Sequence, residues 1–544
     1  MPISGGMQRF AQLLDRLSLT PARNGKITLL AEHFAAVPDP ERGLALAAIT
    51  RDLEFTTAKP AMIRELVSRR CDPVLFALSY DYVGDLAETA ALIWPARHGA
   101  NRPPELAEVV ESLQGASRAE APALVEAWLD ALDATGRWAL LKLVTGGLRI
   151  GVSARLAKTA LATYGDKDVT EIEELWHGLE PPYDTLFAWL DGHGEKPVSA
   201  AKAPFRPVML ATAIEEADLQ TLDPQHYAAE WKWDGIRVQA VSEDGVRRLY
   251  TRTGDDISHT FPDVIAALDF EGAIDGELLV RDAQGGVAPF SELQQRLNRK
   301  TVSKAMLNKH PAFIRAYDLL VEDGQDLRRA PFAERRKRLE AFVAAVPNDR
   351  IDVSALVGIE SWAAIDALRA DPPDPAAEGV MLKRWDSAYV PGRPKGPWFK
   401  WKRDPFLVDA VLMYAQRGHG KRSSFYSDYT FGVWREGEDG DELVPVGKAY
   451  FGFTDAELKQ LDKFVRENTV ERFGPVRAVT AGKDGGLVLE IAFEGLQRSP
   501  RHKSGIAMRF PRVSRIRWDK PAAQADRIGF LEALLEERFA PGGS

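Results

Sequence analysis

A lysine amine placed to attack phosphorus is the chemistry that this sequence offers most clearly. Lys232 lies in Glu230–Arg237, which reads E-W-K-W-D-G-I-R and has the form K-x-D-G-x-R. A neutral lysine amine can attack a phosphate chain and keep part of it as a covalent adduct, and burial, a nearby cation or a bound metal favours the neutral amine. Arg237 is a candidate for that cation. The short pattern is weak evidence alone, because a solvent-facing lysine on an edge strand would match it equally well.

Five later segments carry acids, bases and aromatic residues in an order that supports the lysine. They are Tyr250–Asp255 with Arg252, Ile274–Val280 with Glu277, Ala316–Leu320 with Tyr317, Glu378–Lys383 with an acid and a base at its ends, and Trp398–Arg403 with Trp398, Lys400 and Lys402. Two lysines on one face of a strand repel each other unless an anion lies between them, and a triphosphate would be such an anion. Each segment alone could be a core strand or a solvated face, but the ordered set favours a nucleotide site.

Strands must hold most of these side chains. Residues 227–234 alternate between apolar and polar, which predicts a strand with one apolar and one polar face. Glu230, Lys232 and Asp234 share the polar face, and Gly235 then lets the backbone turn or approach a ligand closely. Residues 274–280 read as a buried strand that carries Glu277.

In order and content, these segments resemble the motifs of the ATP-dependent DNA ligases of the covalent nucleotidyltransferase superfamily. The three-domain form with an N-terminal DNA-binding domain is the better match, and the composition suggests a bacterial source. The resemblance implies an enzyme that uses ATP and Mg²⁺ to seal 5′-phosphate/3′-hydroxyl nicks in duplex DNA. Such an enzyme forms a lysyl-AMP intermediate, transfers AMP to the 5′-phosphate and then joins the strands.

The resemblance also assigns roles to single residues around the nucleoside. Lys232 matches the lysine that becomes adenylated, and Glu230 matches the residue that reads the adenine amino group. Tyr317 takes the position of the aromatic residue that stacks on adenine. Arg237 and Arg252 match contacts to ribose and phosphate.

Further residues are expected around the phosphates and the metal. The phosphate-binding lysines would be Lys383, Lys400 and Lys402, with Trp398 beside them. The metal-associated carboxylates would be Glu277, which also lies near the ribose, and Glu378. The string Arg509–Lys520 matches the last motif of the family, whose Arg515 and Arg517 would grip the leaving pyrophosphate. Asp255 stands where some relatives carry Glu near a second metal, and this departure leaves a second metal site open.

The implied fold class is multidomain. It combines an all-α DNA-binding domain over residues 1–195, an α+β adenylation domain over 205–404 and a β-barrel OB-fold domain over 405–544. Residues 192–207 are rich in Gly, Ala, Lys and Pro, as a linker would be.

The periodicity of the chain agrees with this division. Helical spacing of apolar residues begins with Phe10, Leu13, Leu14 and Leu17. After about residue 405 the pattern becomes rich in strands, and one helix is predicted at about 455–469, a combination that fits an OB-fold. The strands predicted there are Leu407–Met413, Tyr429–Trp434, Leu443–Phe451, Leu487–Phe493 and Val513–Trp518.

Basic residues in several places are expected to contact the DNA backbone. Arg149 follows a glycine-bounded turn between two helices, which suits phosphate contact, although an ordinary helix hairpin would give the same pattern. Arg498–Lys520 holds eight Lys or Arg and one acid. The residues expected to bind DNA are Arg149, Arg296, Arg299, Lys300, Lys421, Arg422, Arg498, Arg501 and Lys503.

One glycine-rich string needs a separate interpretation. Residues 418–423 read G-H-G-K-R-S and are similar to a phosphate-binding P-loop. Ala415 stands where the first glycine of that motif is required. We therefore interpret the string as a basic loop that faces DNA.

Composition limits the class of protein further. The chain has 544 residues, 45% apolar content and one cysteine, Cys71, so a disulfide framework and a cysteine-rich zinc module are excluded. The net charge of −9 does not contradict DNA binding, because the position of the charges matters more than their sum. There is no twenty-residue apolar run, and from the first residues, M-P-I-S-G-G, we expect no signal peptide. We expect a cytoplasmic monomer that encircles DNA and does not bind membranes.

Two alternatives remain open from the sequence. The first is another covalent nucleotidyltransferase, either an RNA ligase or an mRNA capping enzyme, and the long helical N-terminal region argues against it. The second is a repair scaffold that binds DNA without catalysis, and the complete motif set around Lys232 argues against that.

Overall fold

The computed structural model describes residues 6–53, 55–83, 85–95, 102–198, 201–297, 299, 301–346, 348–417, 425–438, 440–474, 476–500 and 502–538. The chain divides into two compact units, Met1–Ala201 and Lys202–Ser544. None of the helices in the described ranges combines the length and the apolar character that a membrane crossing requires.

The first unit is built from helices, as the sequence predicts. Its helices are α1 (Gly6–Leu19), α2 (Arg23–Ala36), α3 (Glu41–Thr50), α4 (Pro60–Arg70), α5 (Pro73–Val83), α6 (Leu86–Ile93), α7 (Leu106–Gly115), α8 (Ala121–Ala131), α9 (Ala134–Thr145), α10 (Ala154–Gly165), α11 (Val169–Leu175) and α12 (Asp184–Leu190). Helix α1 buries Phe10, Leu13, Leu14 and Leu17, so the predicted amphipathic helix is confirmed. One hydrophobic core joins these side chains to those of the other helices.

His33 on α2 should make the stability of this unit depend on pH. Burial, and secondarily the charge of Arg9, lowers the pKa of His33 from 6.5 to about 4, and its Nε2 atom is buried without a hydrogen-bond partner among the described residues. The unfolded chain therefore binds a proton between pH 6.5 and 4 that the folded unit does not, so stability should fall by up to about 3 kcal/mol as pH drops through that range. We expect His33→Phe to flatten this slope in denaturant titrations of the full chain. Equal slopes for parent and variant would contradict the expectation.

The second unit begins with two sheets. Its elements up to residue 402 are β1 (Thr212–Ala213), α13 (Glu216–Thr221), β2 (Tyr227–Trp233), β3 (Ile236–Glu243), β4 (Val246–Thr251), α14 (Pro262–Ala267), β5 (Gly272–Val280), α15 (Phe290–Gln294), α16 (Lys304–Lys309), β6 (Ala312–Glu322), β7 (Gln325–Asp326), α17 (Phe332–Ala344), β8 (Ile351–Val353), β9 (Leu356–Val357), α18 (Trp362–Ala370), β10 (Ala377–Arg384) and β11 (Trp398–Lys402). One sheet has the order β1-β11-β10-β2-β9, and the other has the order β4-β3-β5-β6-β7 with β8 paired to β6.

The chain passes from one sheet to the other at Gly235, directly after the strand that carries Lys232. A Cβ at Gly235 would lie 2.5 Å from the carbonyl oxygen of Leu278 and 2.8 Å from Cγ of Glu277. Glycine is therefore required at position 235 for the backbone to lie this close to β5. The close approach brings the turn between β2 and β3 against β5, beside the lysine.

The remainder of this unit is rich in strands. Its elements are β12 (Phe406–Arg417), β13 (Tyr426–Gly437), β14 (Gly440–Ala449), α19 (Asp455–Glu467), β15 (Thr469–Phe473), β16 (Val476–Val479), β17 (Val488–Phe493), β18 (Gly495–Arg498), β19 (Ile506–Arg509), β20 (Arg512–Arg517) and α20 (Ile528–Arg538). The sheet order is β14-β13-β12-β16-β15, β17 joins β12 to β20, and β18 pairs with β19. The predicted helix and the five predicted strands are present. The short strand β15 is mostly exposed and carries no apolar alternation from which it could be predicted.

Candidate active site

One face of the first sheet presents most of the residues that the sequence singles out. The strand register places Glu230 opposite Met381, and Met381 opposite Lys400. Lys232 and Lys402 lie two residues farther along their strands and form the next row. Because side chains alternate along a strand, Glu230 and the three lysines of these rows project from one face of the sheet.

Glu378 reaches the same region through an irregularity in β10. The register between β2 and β10 shifts there, and Gly379 has φ of 145° with a Cβ position only 2.3 Å from the carbonyl oxygen of Trp401. The carboxylate of Glu378 forms an ion pair with Nζ of Lys232 and lies 3.1 Å from Nζ of Lys402. Burial would raise the pKa of Glu378, but the two lysines outweigh it and hold this pKa below its usual range.

Two further carboxylates lie close to Lys232. Burial raises the pKa of Glu277 to about 8, against the opposing charges of Lys232 and Arg237, and the neighbouring carboxylates Glu378 and Asp234 raise it further. Burial also raises the pKa of Asp234. Three acids and a lysine amine are thus within electrostatic reach of one another.

This carboxylate set suits Mg²⁺ bound together with phosphates. Among the described residues no group of three or more His, Cys, Asp or Glu is arranged as a cage for a metal ion. Mg²⁺ does not need such a cage, because it is usually held by one or two carboxylates, water and substrate phosphates. Glu277 and Glu378 fit that requirement. Asp255 instead accepts hydrogen bonds from the hydroxyls of Thr251 and Thr253, at 3.1 and 2.5 Å.

Glu230 is held at the far end of the sheet face by two buried cations. Nζ of Lys383 lies 3.3 Å from its carboxylate and Nη1 of Arg336 lies 3.4 Å from it. Lys383 also donates to the carbonyl oxygen of Tyr317 at 3.1 Å and lies 4.5 Å from the centre of the Tyr317 ring. Lys383 therefore contacts Glu230 and Tyr317 at the far end of the sheet face. In this structure it does not lie at the phosphate end beside Lys400, where the sequence placed it.

Arg237 is fixed by a buried acid and a buried hydroxyl. Its guanidinium donates to both carboxylate oxygens of Asp275, at 3.0 and 2.5 Å, and to the carbonyl oxygen of Met209 at 2.6 Å. The hydroxyl of Tyr389 donates to Asp275 at 2.7 Å. The positive charge of Arg237 is therefore compensated by Asp275, and the sequence did not identify Asp275 or Tyr389 as parts of the site.

A group of cations surrounds Lys400. Burial first, and then the charges of Arg393, Lys402, Lys232 and Arg252, lower the pKa of Lys400. This repulsion is the one that the two aligned lysines predict. Arg393 was missed from the sequence, where only its place after a Pro-Gly pair in the loop before β11 marks it.

Trp398 supports the site from within the protein. Its side chain is 1% exposed, its ring lies edge-on to Tyr389 at 5.6 Å, and Nζ of Lys383 lies 4.7 Å from its ring centre. Trp398 therefore lies beside Lys383, one of the lysines that it was expected to accompany, with its ring packed inside the protein.

The strand-rich C-terminal part reaches this site through two residues. Arg509 forms an ion pair with Asp234, and Glu494 lies 2.9 Å from Nζ of Lys402. The arginines expected at the phosphates are engaged elsewhere. Arg517 lies 3.0 Å from Asp409 and 2.9 Å from Asp519, while Arg515 is 59% exposed and lies 3.7 Å from Glu490. The structure thus brings Arg509 and Glu494 to the site in place of Arg515 and Arg517.

Comparisons with known proteins agree with this geometry. Residues 208–402 match the family model described as ATP dependent DNA ligase domain, and residues 422–520 match the one described as ATP dependent DNA ligase C terminal region. The Probable DNA ligase of Koribacter versatilis is 31% identical to this chain, over 98% of the chain and 97% of that protein. The chain belongs to the ATP-dependent DNA ligase family.

Other ligases are similar over nearly the whole chain. The DNA ligase 1 of Korarchaeum cryptofilum is 27% identical over 98% of this chain and 99% of that protein. The solved structure of Pmar-Lig_Pre superposes with a TM-score of 0.57 at 15% identity and covers 94% of this chain and 99% of that one, which is a likeness of fold.

Arg296 does not belong to the DNA-facing surface of this ligase. Its side chain is fully buried, pairs with both carboxylate oxygens of Asp263 at 2.5 and 3.0 Å, and donates to the carbonyl oxygens of Thr260 and His310. A guanidinium with these partners ties α14 to the loop before β6. The sequence suggested a surface residue because Arg299 and Lys300 follow Arg296 closely, and only the fold shows that Arg296 is buried.

The other predicted DNA contacts divide into exposed and undescribed residues. Arg299, Lys503 and Arg498 are exposed, and Arg498 lies 3.7 Å from Glu536. Four of the predicted contacts lie outside the described residues, namely Lys300, Lys421, Arg422 and Arg501.

Arg149 lines a basic cavity in the helical unit of this ligase. The cavity has a volume of about 740 Å³, and its basic lining residues are Arg23, Lys26, Arg51, Arg149 and Arg155. Lys26 fixes the loop by donating to the carbonyl oxygens of Ile150 and Gly151, at 2.5 and 3.0 Å. Arg149 itself is exposed and has φ of 48°, in the left-handed region that non-glycine residues avoid.

Proposed function

We propose that Lys232 carries AMP in the reaction of this ATP-dependent DNA ligase, which seals 5′-phosphate/3′-hydroxyl nicks in duplex DNA. The observation that supports this assignment best is the shared sheet face, where Lys232 projects beside Lys400 and Lys402 and contacts the carboxylate of Glu378. The neighbouring lysines can bind the triphosphate, and the Lys232 amine is then placed to attack it.

In the first step the Lys232 amine attacks the α-phosphorus of ATP. It must first give up its proton to solvent and lose its contact with Glu378, which leaves a lone pair free for the new nitrogen–phosphorus bond. The bond from the α-phosphorus to the bridging oxygen breaks, and pyrophosphate leaves with that oxygen. Lys400 and Lys402 lie on the same face and would balance the charge of the phosphates.

The second and third steps use the adduct on DNA. The 5′-phosphate of the nick attacks the same phosphorus and takes AMP, which frees the Lys232 amine. The 3′-hydroxyl then attacks the 5′-phosphorus and loses its proton to solvent, and AMP leaves as the strands become joined. Each step exchanges one bond to phosphorus for another, so positioning and charge balance account for most of the catalysis.

Glu277 and Glu378 would hold Mg²⁺ through their carboxylates. A divalent cation there neutralises charge on the phosphates and weakens the ion pair between Glu378 and Lys232. A second metal at Asp255 would have to replace the two hydrogen bonds that this carboxylate accepts from Thr251 and Thr253.

The base would lie at the end of the face that holds Glu230 and Tyr317. In its ionised form the Glu230 carboxylate accepts hydrogen bonds and cannot donate them, which suits the adenine amino group and disfavours the carbonyl of guanine. Lys383 and Arg336 orient that carboxylate. The Tyr317 ring offers a stacking surface for the base.

We further propose the three-domain division at residues 1–195, 205–404 and 405–544, with an OB-fold in the last. The sheet of β12, β13, β14, β16 and β17 with helix α19 supports an OB-fold. Arg515 and Arg517 would reach the triphosphate only after the last domain turns, a movement of the kind that gates many enzymes.

The assignment can be tested by incubating the chain with ATP labelled at the α-phosphate and mapping the adduct. A phosphoramidate is labile to acid and stable to alkali, and we expect it on Lys232. GTP should give no adduct. An adduct on another lysine, or labelling by GTP in place of ATP, would overturn the assignment.

DNA binding should depend steeply on salt. Phosphate contacts release counterions, so the logarithm of Kd should rise with the logarithm of salt by about 0.9 for each contact. We expect Arg149→Ala to reduce this slope by about one contact in a fluorescence titration of nicked DNA. Arg16→Ala removes an arginine that is 60% exposed in α1 and should leave the slope unchanged. A Kd that does not change with salt concentration would contradict the proposal that the basic surfaces bind DNA phosphates.

A further inference from the structure

Glu494 pairs with Lys402, one of the lysines proposed to bind phosphate. Its carboxylate lies 2.9 Å from Nζ of Lys402 and 3.6 Å from Nη1 of Arg512. Lys402 also contacts Glu378 at 3.1 Å, so two carboxylates already surround this ammonium. Burial alone would lower the pKa of Lys402, but Glu378 and Glu494 raise it. A lysine ammonium whose charge is already balanced by two carboxylates binds an added anion less well than an unpaired lysine does.

The element that delivers Glu494 also delivers Arg509. Glu494 follows β17, Arg509 ends β19, and the backbone N–H of Glu494 donates to the carbonyl oxygen of Arg509 at 2.9 Å. Arg509 pairs with Asp234, two residues after Lys232, and lies 4.3 Å from the ring centre of Phe290. These two hydrogen-bonded residues therefore place a carboxylate beside Lys402 and a guanidinium beside Asp234.

We propose that Glu494 is an internal competitor of the ATP triphosphate for Lys402. This inference rests on the proposed function, in which Lys402 binds phosphate. ATP binding displaces the Glu494 carboxylate, because Lys402 already pairs with two carboxylates and the triphosphate adds further negative charge beside the same ammonium. After pyrophosphate leaves, Glu494 returns to Lys402 and the C-terminal strands close against the adenylated site. Glu494 is thus a positioning residue that couples domain closure to the departure of pyrophosphate.

The test is the adenylation kinetics of Glu494→Gln in the full chain. The amide keeps the shape of the side chain and removes its charge. We expect the KM for ATP to fall about three- to tenfold while the maximal rate of adduct formation stays unchanged, since a half-exposed ion pair contributes modestly. The difference should shrink as salt rises, because screening weakens the Lys402–Glu494 pair.

Glu442→Gln is the matched control, because Glu442 is also a C-terminal carboxylate paired with a cation, Arg435, at 2.5 Å. It should leave the KM for ATP unchanged. In a Lys402→Met background, Glu494→Gln should no longer lower the KM, since the partner of the carboxylate is gone.

Three results would overturn the inference: an unchanged KM in Glu494→Gln, a raised KM, or an equal decrease in the Lys402→Met background. Failure of the proposed function has a different signature, because the parent chain would then form no adduct with labelled ATP. A parent chain that labels normally beside an unaffected Glu494→Gln variant rejects the role of Glu494 alone.

Discussion

Lys232→Ala should abolish the lysyl-AMP adduct and lower nick sealing with ATP by ~10⁴-fold or more, as the loss of a nucleophile does in other enzymes. Lys232 projects beside Lys400 and Lys402, and no other side chain of its motif offers an amine. The measurement is adduct formation with labelled ATP, followed by single-turnover sealing of a nicked duplex. The adduct should disappear and sealing should fall together.

The same variant should still seal a nick whose 5′-phosphate has been adenylated chemically. That substrate needs only the attack of the 3′-hydroxyl, so the Lys232 amine is not required as a nucleophile. Lys395→Ala is the matched control, because Lys395 is a lysine of the same unit that is 72% exposed, and its loss should change neither reaction. If Lys232→Ala sealed an ordinary nick with ATP at the rate of the parent, the assignment of the nucleophile would be wrong.

The strand around Lys232 could be predicted because a period of two is a local property of the sequence. Residues 227–234 alternate, and the structure forms β2 over Tyr227–Trp233. The helical first unit and the predicted strands after residue 405 followed from the same kind of local pattern. Short strands with four or five residues and little burial gave no such pattern.

The position of Glu378 could not be read from its own segment. Strict alternation in β10 would turn Glu378 to the face opposite Lys383, yet the register shift at Gly379 brings its carboxylate to Lys232. A bulge depends on the neighbouring strands, which a single segment does not reveal.

Charge partners were the least predictable part of the site. The sequence grouped Arg296 with surface cations and Lys383 with phosphate-binding lysines, but each is buried against an acid far away in the chain. Arg509 and Glu494 were missed as nucleotide-site residues for the same reason, because their partners Asp234 and Lys402 lie far away in the chain. Burial of a charge is decided by tertiary contacts, and composition or spacing carries little information about it.

Asp318→Ala should destabilise the second unit by about 3–5 kcal/mol, because it leaves a buried guanidinium without its counter-charge. Asp318 and Arg335 are both fully buried, and two hydrogen bonds of 2.7 and 3.0 Å join them. Asp318 directly follows Tyr317, so the loss should also raise the KM for ATP. The measurement is chemical denaturation of the full chain, and the free energy of unfolding is taken from the transition that residues 202–544 undergo.

Burial should decide the size of this effect, and the chain offers a matched comparison. Arg384 and Asp386 also pair at 2.5 Å, but their side chains are 43% and 71% exposed, so Asp386→Ala should cost less than about 1 kcal/mol. Replacing both buried partners, as in Asp318→Leu with Arg335→Met, should recover much of the stability, since no unpaired charge is then left in the core. Equal losses for Asp318→Ala and Asp386→Ala would mean that the buried pair contributes no more than a surface pair. In that case the position of Tyr317 would have to depend on the apolar contacts of β6 instead of on the ion pair behind it.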